Sequence, residues 1–124
     1  MLLLSLVTLL AVPYVFGQGV TVVAKIPFEF TAAGKVLPAG EYRFVAESGA
    51  APVRVSPVGK GDSVLVPIIT RIGGAIHTSH QDAHVVFDVV GNSHILSEIW
   101  GRTDDGLLLA STKEKHQHET VTVP

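Results

Sequence analysis

The residues best suited to chemistry in this sequence are its histidines. His77, His80 and His84 are separated by three and four residues in the stretch GGAIHTSHQDAH. Neutral imidazole is a common ligand of zinc and copper, which need three or four donors that converge on one point. The two glycines and the lack of a helical hydrophobic period place this stretch in a loop or hairpin, where Asp82 could add a fourth donor. We take His77, His80 and His84 as candidate metal ligands, with a solvated polar loop as the alternative.

Other side chains could also bind or ionise. His116 and His118 form a His-x-His pair that would place both rings on one face of a strand, although this motif is weak by itself. Asp88 lies inside the apolar run VVFDVV, and we expect it on the solvated face of a strand. Trp100 is expected to pack in the core, with an exposed stacking platform as the alternative. Glycoside hydrolysis would need two carboxylates facing each other across a cleft, which the sequence alone cannot identify.

The composition and the missing motifs exclude several classes of function. The 124 residues include no cysteine, which excludes thiol catalysis, disulfides and cysteine-based zinc sites. The sequence has neither a Gly-x-Ser-x-Gly elbow nor a phosphate-binding Gly-x-x-x-x-Gly-Lys-Ser/Thr loop. With 9 basic and 11 acidic residues the formal net charge is −2, which argues against nucleic-acid binding. We therefore expect no enzyme and no cofactor, and a protein or a small molecule as the partner.

Residues 1–17 have the features of a signal peptide. An apolar core is followed by a proline, and Val15 and Gly17 are small enough for the −3 and −1 positions of a cleavage site. No Lys or Arg precedes the apolar core, which departs from the usual pattern. We expect cleavage after Gly17 to leave residues 18–124 as a single β domain, secreted or periplasmic. The alternatives are an uncleaved anchor, which would be the chain's only membrane contact, and a buried core element.

Beyond this segment the hydrophobic residues recur with a period of two. KIPFEF, EYRF and PVRVSPV show the alternation of strands with one solvated face. SVLVPIITRI and AHVVFDVV are more continuously apolar, which predicts strands that are covered on both faces or lie in a barrel wall. Turn residues separate the runs at intervals of about 8–12 residues. We predict an all-β fold: a single antiparallel β-barrel or β-sandwich of about seven or eight strands.

Local signals place the turns and breaks. Residues 37–40 in VLPAGEYRF fit a type I turn, a corner that feeds the next strand. Gly91 and Asn92 can close a tight hairpin. Pro67 interrupts the most hydrophobic run and predicts a strand break or bulge. STKEKHQH has the spacing of a helical capping box, so we expect at most one or two helical turns there.

The stretch IPFEFTAAGKVLPAGEYRF resembles the opening of a family of small exported bacterial proteins of unknown function. The shared pattern is Pro-Phe-x-Phe, a Gly-Lys turn and Leu-Pro-Ala-Gly-x-Tyr. VVFDVVGNSHILSEIW is similar to a second block of that family, so the resemblance covers Ile26 to Trp100 with gaps, and GLLLASTKE is similar to the family's tail. It implies export, a compact β-fold and no established activity, and it offers no catalytic or ligand residue. The aspartate at position 88 and the three histidines at 77, 80 and 84 depart from the family pattern.

Three functions remain open from the sequence. The preferred one is a non-enzymatic envelope module that is structural or binds a partner, which predicts a filled core with an exposed apolar patch or an open edge strand. A small-ligand binder predicts a barrel with an internal cavity. A histidine-based metal-binding protein predicts histidines and carboxylates that converge within a few ångströms.

Overall fold

The computed structural model describes residues 19–47, 52–72, 83–101 and 106–123, which form eleven β-strands and no helix. In chain order they are β1 (Val20–Ile26), β2 (Phe30–Ala32), β3 (Lys35–Leu37), β4 (Gly40–Ala46), β5 (Val53–Pro57), β6 (Val64–Val66), β7 (Thr70–Ile72), β8 (His84–Val90), β9 (Ser93–Trp100), β10 (Gly106–Leu108) and β11 (Gln117–Thr122). The all-β prediction is confirmed. The structure has more strands than the seven or eight predicted. Several of them, such as β2 and β6, have only three residues, and so short a run shows no clear hydrophobic period in the sequence.

The strands form two sheets, so the architecture is sandwich-like. Sheet A is antiparallel in the order β1-β4-β5-β6. Sheet B has the order β11-β8-β9-β10-β7, and the β2–β3 hairpin joins it through a parallel pairing of Thr31 with Ile95 in β9. The predicted signal segment lies outside the described residues. No helix in the described part of the chain is long and apolar enough to cross a membrane.

The hydrophobic core lies between the inner faces of the two sheets. Phe30 of sheet B sits in its middle, with ring centroids 5.1 Å from Tyr42 of sheet A and 5.3 Å from Phe87 of sheet B. Both contacts are edge-to-face, the arrangement that aromatic rings prefer. Aliphatic residues fill the space around these rings, and Val22, Val55 and others are almost completely buried. The two sheets are therefore held together chiefly by apolar burial.

Within the described residues the chain passes between the sheets at three points, and a proline stands at each of them. Strands β1, β3 and β6 end at Ile26, Leu37 and Val66, and the next residue in each case is Pro27, Pro38 or Pro67. Proline has no amide hydrogen and cannot continue the hydrogen-bond ladder of a strand. The pairing therefore stops at these positions and the chain leaves the sheet. The predicted strand break at Pro67 is confirmed.

The two continuously apolar runs have different outcomes. In β8 the residues Val85 to Asp88 are all buried, as predicted for a strand covered on both faces. In SVLVPIITRI the prediction is wrong, because Leu65 and Ile69 are more than half exposed. Trp100 is not a core residue either: it lies on the outer face of sheet B, partly exposed, and its indole Nε1 donates to Glu98 Oε1 at 2.8 Å.

Two tight turns contain residues in the left-handed region. Gly91, with φ of 60°, closes the predicted two-residue hairpin between β8 and β9. The β2–β3 hairpin turns at Ala33 and Gly34, with φ of 53° and 78°. Positive φ at both central residues is typical of a type I′ turn, in which Asn-Gly is the preferred pair. Ala33 is therefore a strained residue at a position that suits asparagine.

The corner at Pro38 and Ala39 carries the chain from β3 in sheet B to β4 in sheet A. Tyr42 is buried, and its hydroxyl donates to the Pro38 carbonyl at 2.7 Å. The bond joins the corner to the first buried residue of β4. Burial of the Tyr42 side chain raises its pKa above the ordinary value of 10.0, because the charged phenolate is disfavoured away from water.

We expect Ala33→Asn to stabilise the protein by about 0.5–1 kcal/mol, because asparagine tolerates positive φ better than alanine does. Urea unfolding of both proteins measures the change. Ala39→Asn is the matched control, since Ala39 is equally exposed but does not have positive φ. Equal gains at both positions would show that the stabilisation does not come from relief of the turn.

We expect Tyr42→Phe to lose about 1 kcal/mol of stability at neutral pH, because the hydrogen bond to Pro38 disappears. The folded state favours the neutral phenol, so this contribution is complete below pH 10.0 and is lost as the pH rises through the raised pKa. Urea unfolding at neutral and strongly alkaline pH should show the two proteins converging. A stability difference that stays constant would contradict the role assigned to the phenol.

Candidate metal centre

Asp88 is the only charged residue among the described residues that is buried, with 2% of its surface exposed. It follows Phe87 in β8, and because side chains alternate along a strand it points away from the core face that Phe87 occupies. On that outer face its neighbours are Val86, two residues earlier, and Ile95, directly opposite on β9. The expectation of a solvated Asp88 is therefore wrong.

The connection between β10 and β11 explains this burial. Since β10 pairs with β9 and β11 pairs with β8, residues 109–116 must cross both central strands to reach the far edge of sheet B. They cross on the outer face, where the His116 side chain comes to 3.9 Å from the Asp88 carboxylate. The segment has no helix, so the helical turns that we allowed for STKEKHQH do not form. Instead Thr112 Oγ1 accepts a hydrogen bond from the Glu114 amide at 3.1 Å.

A bulge in β9 holds the start of this connection against the sheet. The register of β8 against β9 shifts after Val86, which leaves Ser97 as the extra residue. The Ser97 carbonyl accepts from the amides of Leu109 at 2.6 Å and Ala110 at 3.4 Å. The Ser97 hydroxyl donates to the Ala110 carbonyl at 3.1 Å. Ser97 is thus buried but satisfied, and the chain crosses from it towards Asp88.

Two histidines lie beside the Asp88 carboxylate. His118 is the direct partner of Asp88 in the antiparallel register of β11 and β8, and its Nδ1 is 3.0 Å from Asp88 Oδ1. His116 precedes β11, and its Nε2 is 3.9 Å from the same oxygen. The three donor atoms all lie within 4.8 Å of one another. The Asp88 side chain is 3% exposed and that of His118 is 55% exposed, so the group is closed at the carboxylate and open to solvent at His118.

A backbone hydrogen bond fixes which nitrogen of His116 faces the carboxylate. His116 Nδ1 lies 2.8 Å from the Glu114 carbonyl, and since a carbonyl only accepts, Nδ1 carries the hydrogen. In the neutral ring the lone pair is then on Nε2, the nitrogen that faces Asp88. A backbone carbonyl bound to the far ring nitrogen is a common second contact of metal-binding histidines. His116 is therefore oriented as a ligand before any ion arrives.

The carboxylate needs a positive partner. Asp88 Oδ1 is only 3.0 Å from His118 Nδ1, yet no described residue offers it a hydrogen bond of acceptable geometry. A short distance alone does not satisfy a buried carboxylate, because a hydrogen bond also needs a donor hydrogen that points at the oxygen. A buried charge without a partner is strongly unfavourable. A proton on one ring, or a metal ion between the oxygen and the two nitrogens, would neutralise it.

The donor set favours zinc or copper over calcium or magnesium. Two imidazole nitrogens and one carboxylate suit zinc, copper and nickel, whereas calcium and magnesium take oxygen ligands. A tetrahedral zinc ion about 2.0 Å from each donor separates the donors by about 3.3 Å. The separations from Asp88 are 3.0 and 3.9 Å. All three donor atoms lie within 4.8 Å of one another, so side-chain movements of about 1–2 Å would complete three ligands and would leave a fourth position on the solvent side.

The metal ligands predicted from the sequence are mostly outside the described residues. His77 and His80 fall there, so the His77–His80–His84 site stays a prediction. His84 begins β8, and its ring stacks on Trp100 with centroids 5.8 Å apart. It lies four residues from Asp88 on the same face, or about 13 Å along the strand. His84 therefore does not belong to the Asp88 group.

A second histidine–carboxylate pair lies on the inner face of sheet B. His94 Nε2 is 3.1 Å from Glu119 Oε1, and the His94 ring stacks on Phe28 with centroids 3.8 Å apart. The pair offers two donors, and the Glu119 side chain is 48% exposed. It links β11 to β9 across the inner face, on the opposite side of the sheet from the contact between His118 and Asp88. We assign a structural role to the His94–Glu119 pair.

No protein-family model, no curated protein and no solved structure matches the chain. The resemblance to a family of exported bacterial proteins stays a prediction. Among the described residues, Asp88, His116 and His118 form the one group of three histidine or carboxylate side chains close enough to hold a metal ion, and we call it the Asp88 group.

Without metal, we expect Asp88→Asn to keep or raise the stability of the protein, because the substitution removes a buried charge at nearly constant volume. Urea unfolding in the presence of a chelator measures this. Ser97→Ala is the contrasting control: it removes a satisfied buried hydroxyl and should cost about 1 kcal/mol. A loss of more than about 1 kcal/mol for Asp88→Asn would mean that the ion pair with the histidines serves folding.

Proposed function

We propose that this chain is an exported, non-enzymatic binding module whose ligand is one divalent transition-metal ion of the zinc or copper class. Asp88, His116 and His118 are the proposed ligands. The observation that carries the proposal is a buried carboxylate whose charged contacts within the described residues are two imidazoles, one of them held in the ligating tautomer. A carboxylate so placed costs stability unless a cation joins it.

Export is part of the proposal and has its own support. Residues 1–17 have an apolar core and a small-residue cleavage pattern, and the resemblance to an exported bacterial family points the same way. The absence of cysteine fits a periplasmic or secreted bacterial protein that does not depend on disulfides. A histidine and carboxylate site suits that location, since its ligands do not oxidise as thiolates do.

We favour binding over catalysis because the metal group lies on a sheet face. Two surface clefts, one beside Phe28 and His94 and one beside Val20 and Ala83, are lined by other residues. A catalytic site is normally a concave pocket that surrounds its substrate. Because the His118 side chain is 55% exposed, an ion held by these residues would be accessible to water, to a small anion or to a partner protein.

Calorimetric titration of the metal-free protein with Zn²⁺ or Cu²⁺ tests the proposal, with one ion bound per chain as the expected result. Metal at 100 times its dissociation constant should add about 2.7 kcal/mol, which raises the unfolding temperature by roughly 10 °C in a domain of this size. Asp88→Asn, His116→Ala and His118→Ala should each remove most of both effects. Calcium and magnesium should have little effect.

His94→Ala is the matched control, because His94 is also paired with a carboxylate but lies on the other face of the sheet. It should leave metal binding unchanged. His80→Ala tests the predicted site at His77, His80 and His84. If His80→Ala abolishes binding and Asp88→Asn does not, the Asp88 group is not the metal site.

A further inference from the structure

The outer face of sheet A is an open surface on which two arginines lie among apolar residues. We call this surface the arginine face. It is formed by the residues that alternate with the core positions of β1, β4, β5 and β6, and these include Val23, Lys25, Arg43, Val45, Arg54 and Leu65, with Glu41 opposite Lys25. Arg43 and Arg54 are exposed, Val23 and Val45 are partly buried, and Leu65 is 53% exposed. This contrasts with the outer face of sheet B, which the β10–β11 connection covers.

The strand register places these residues in two neighbouring rows. Arg43 lies between Val23 on β1 and Ser56 on β5. Arg54 lies between Val45 on β4 and Leu65 on β6. The two arginines are therefore diagonal neighbours on adjacent strands, with Cα atoms about 7–8 Å apart.

The arginines have no partner of opposite charge within the described part of the chain. The ion pairs found there all involve histidine, and no described carboxylate lies within 4 Å of either guanidinium. The carboxylate nearest in register is Glu41, which stands directly opposite Lys25. Two unpaired guanidinium groups beside exposed leucine give the face a positive, partly apolar character in a chain whose net charge is −2.

We propose that the arginine face binds an extended acidic segment of a partner protein, one that carries two carboxylates two residues apart and a neighbouring apolar side chain. Alternate side chains of an extended chain are about 7 Å apart, which matches the separation of the two arginines. The planar guanidinium group binds carboxylates in a bidentate manner. Arginine and apolar residues are also enriched in the centres of protein interfaces, whereas lysine is depleted.

The same features make other occupants less suitable. A second copy of the chain would bring an equally positive face against this one, and like charges across an interface oppose association. A long polyanion would extend beyond this face and be repelled by the rest of the protein, whose net charge is −2. It would also gain little binding energy from the apolar side chains Leu65 and Val45. The proposal does not depend on the metal group, which lies on the other sheet.

Fluorescence anisotropy tests the proposal. A labelled Ser-Glu-Thr-Glu-Thr-Leu-Ser peptide is titrated with the full chain in a buffer that contains a chelator, so that no metal ion is bound. We expect saturable binding below about 1 mM that weakens as salt is raised. A peptide with glutamine in place of both glutamates should not bind. The double variant Arg43→Gln and Arg54→Gln should weaken binding by at least about tenfold. Both side chains are exposed, so the variant should retain its circular dichroism spectrum.

Arg71→Gln is the matched control, since Arg71 is an exposed arginine on β7 of sheet B. Binding by this variant and by Asp88→Asn should be unchanged. No peptide binding up to about 1 mM, or equal losses for Arg71→Gln and the double variant, would overturn the proposal. Tighter binding of heparin or of phosphatidylglycerol vesicles through the same two arginines would also overturn it, in favour of a polyanion or a membrane surface.

Discussion

The architecture depends on three prolines that end strand pairing. Pro27, Pro38 and Pro67 each follow the last residue of a strand, and none can donate the amide hydrogen that the ladder would need next. The chain therefore passes between the sheets three times and builds a sandwich. At the second crossing the Tyr42 hydroxyl binds the Pro38 carbonyl, so the corner is fixed by the residue that begins the next buried row. After the third crossing the strands that the structure describes, β7 to β11, all belong to sheet B.

That last stretch of chain brings Asp88, His116 and His118 together. Strand β11 reaches the far edge of sheet B only by crossing the outer face, and the crossing segment shields a carboxylate that a two-layer sandwich would leave in water. An aspartate in this position lowers stability unless a cation accompanies it. The bulge at Ser97 holds one end of the segment against the sheet, and the other end continues into β11, which pairs with β8. An apolar residue at position 88 would make the folded protein more stable than a buried aspartate does, so the presence of Asp88 supports a functional role for its carboxylate.

Local patterns account for much of the fold and little of this group. Alternation of period two identifies the long strands, and the turn at Gly91 and the break at Pro67 follow from backbone chemistry. The cover over Asp88 comes from residues at least 21 positions further along the chain, so no local window could show that this residue is buried. The pairing of His118 with Asp88 depends on strand order in the same way. The extra residue at Ser97 also changes which residues of β9 face the core. A strict two-residue alternation would therefore assign the wrong face to the residues on one side of the bulge.

The two outer faces of the sandwich differ in charge and in access. Sheet B carries a buried carboxylate beneath a crossing segment, with two imidazoles beside it, whereas sheet A presents guanidinium groups that no described carboxylate contacts. The stacked sheets are about 10 Å apart, so a metal ion on one side and an acidic segment on the other would not compete for space. Direct electrostatic coupling across the core would also be limited, because each charge has solvent or a counter-charge close by. The proposed metal ion and the proposed acidic partner could therefore be bound at the same time, one on each outer face.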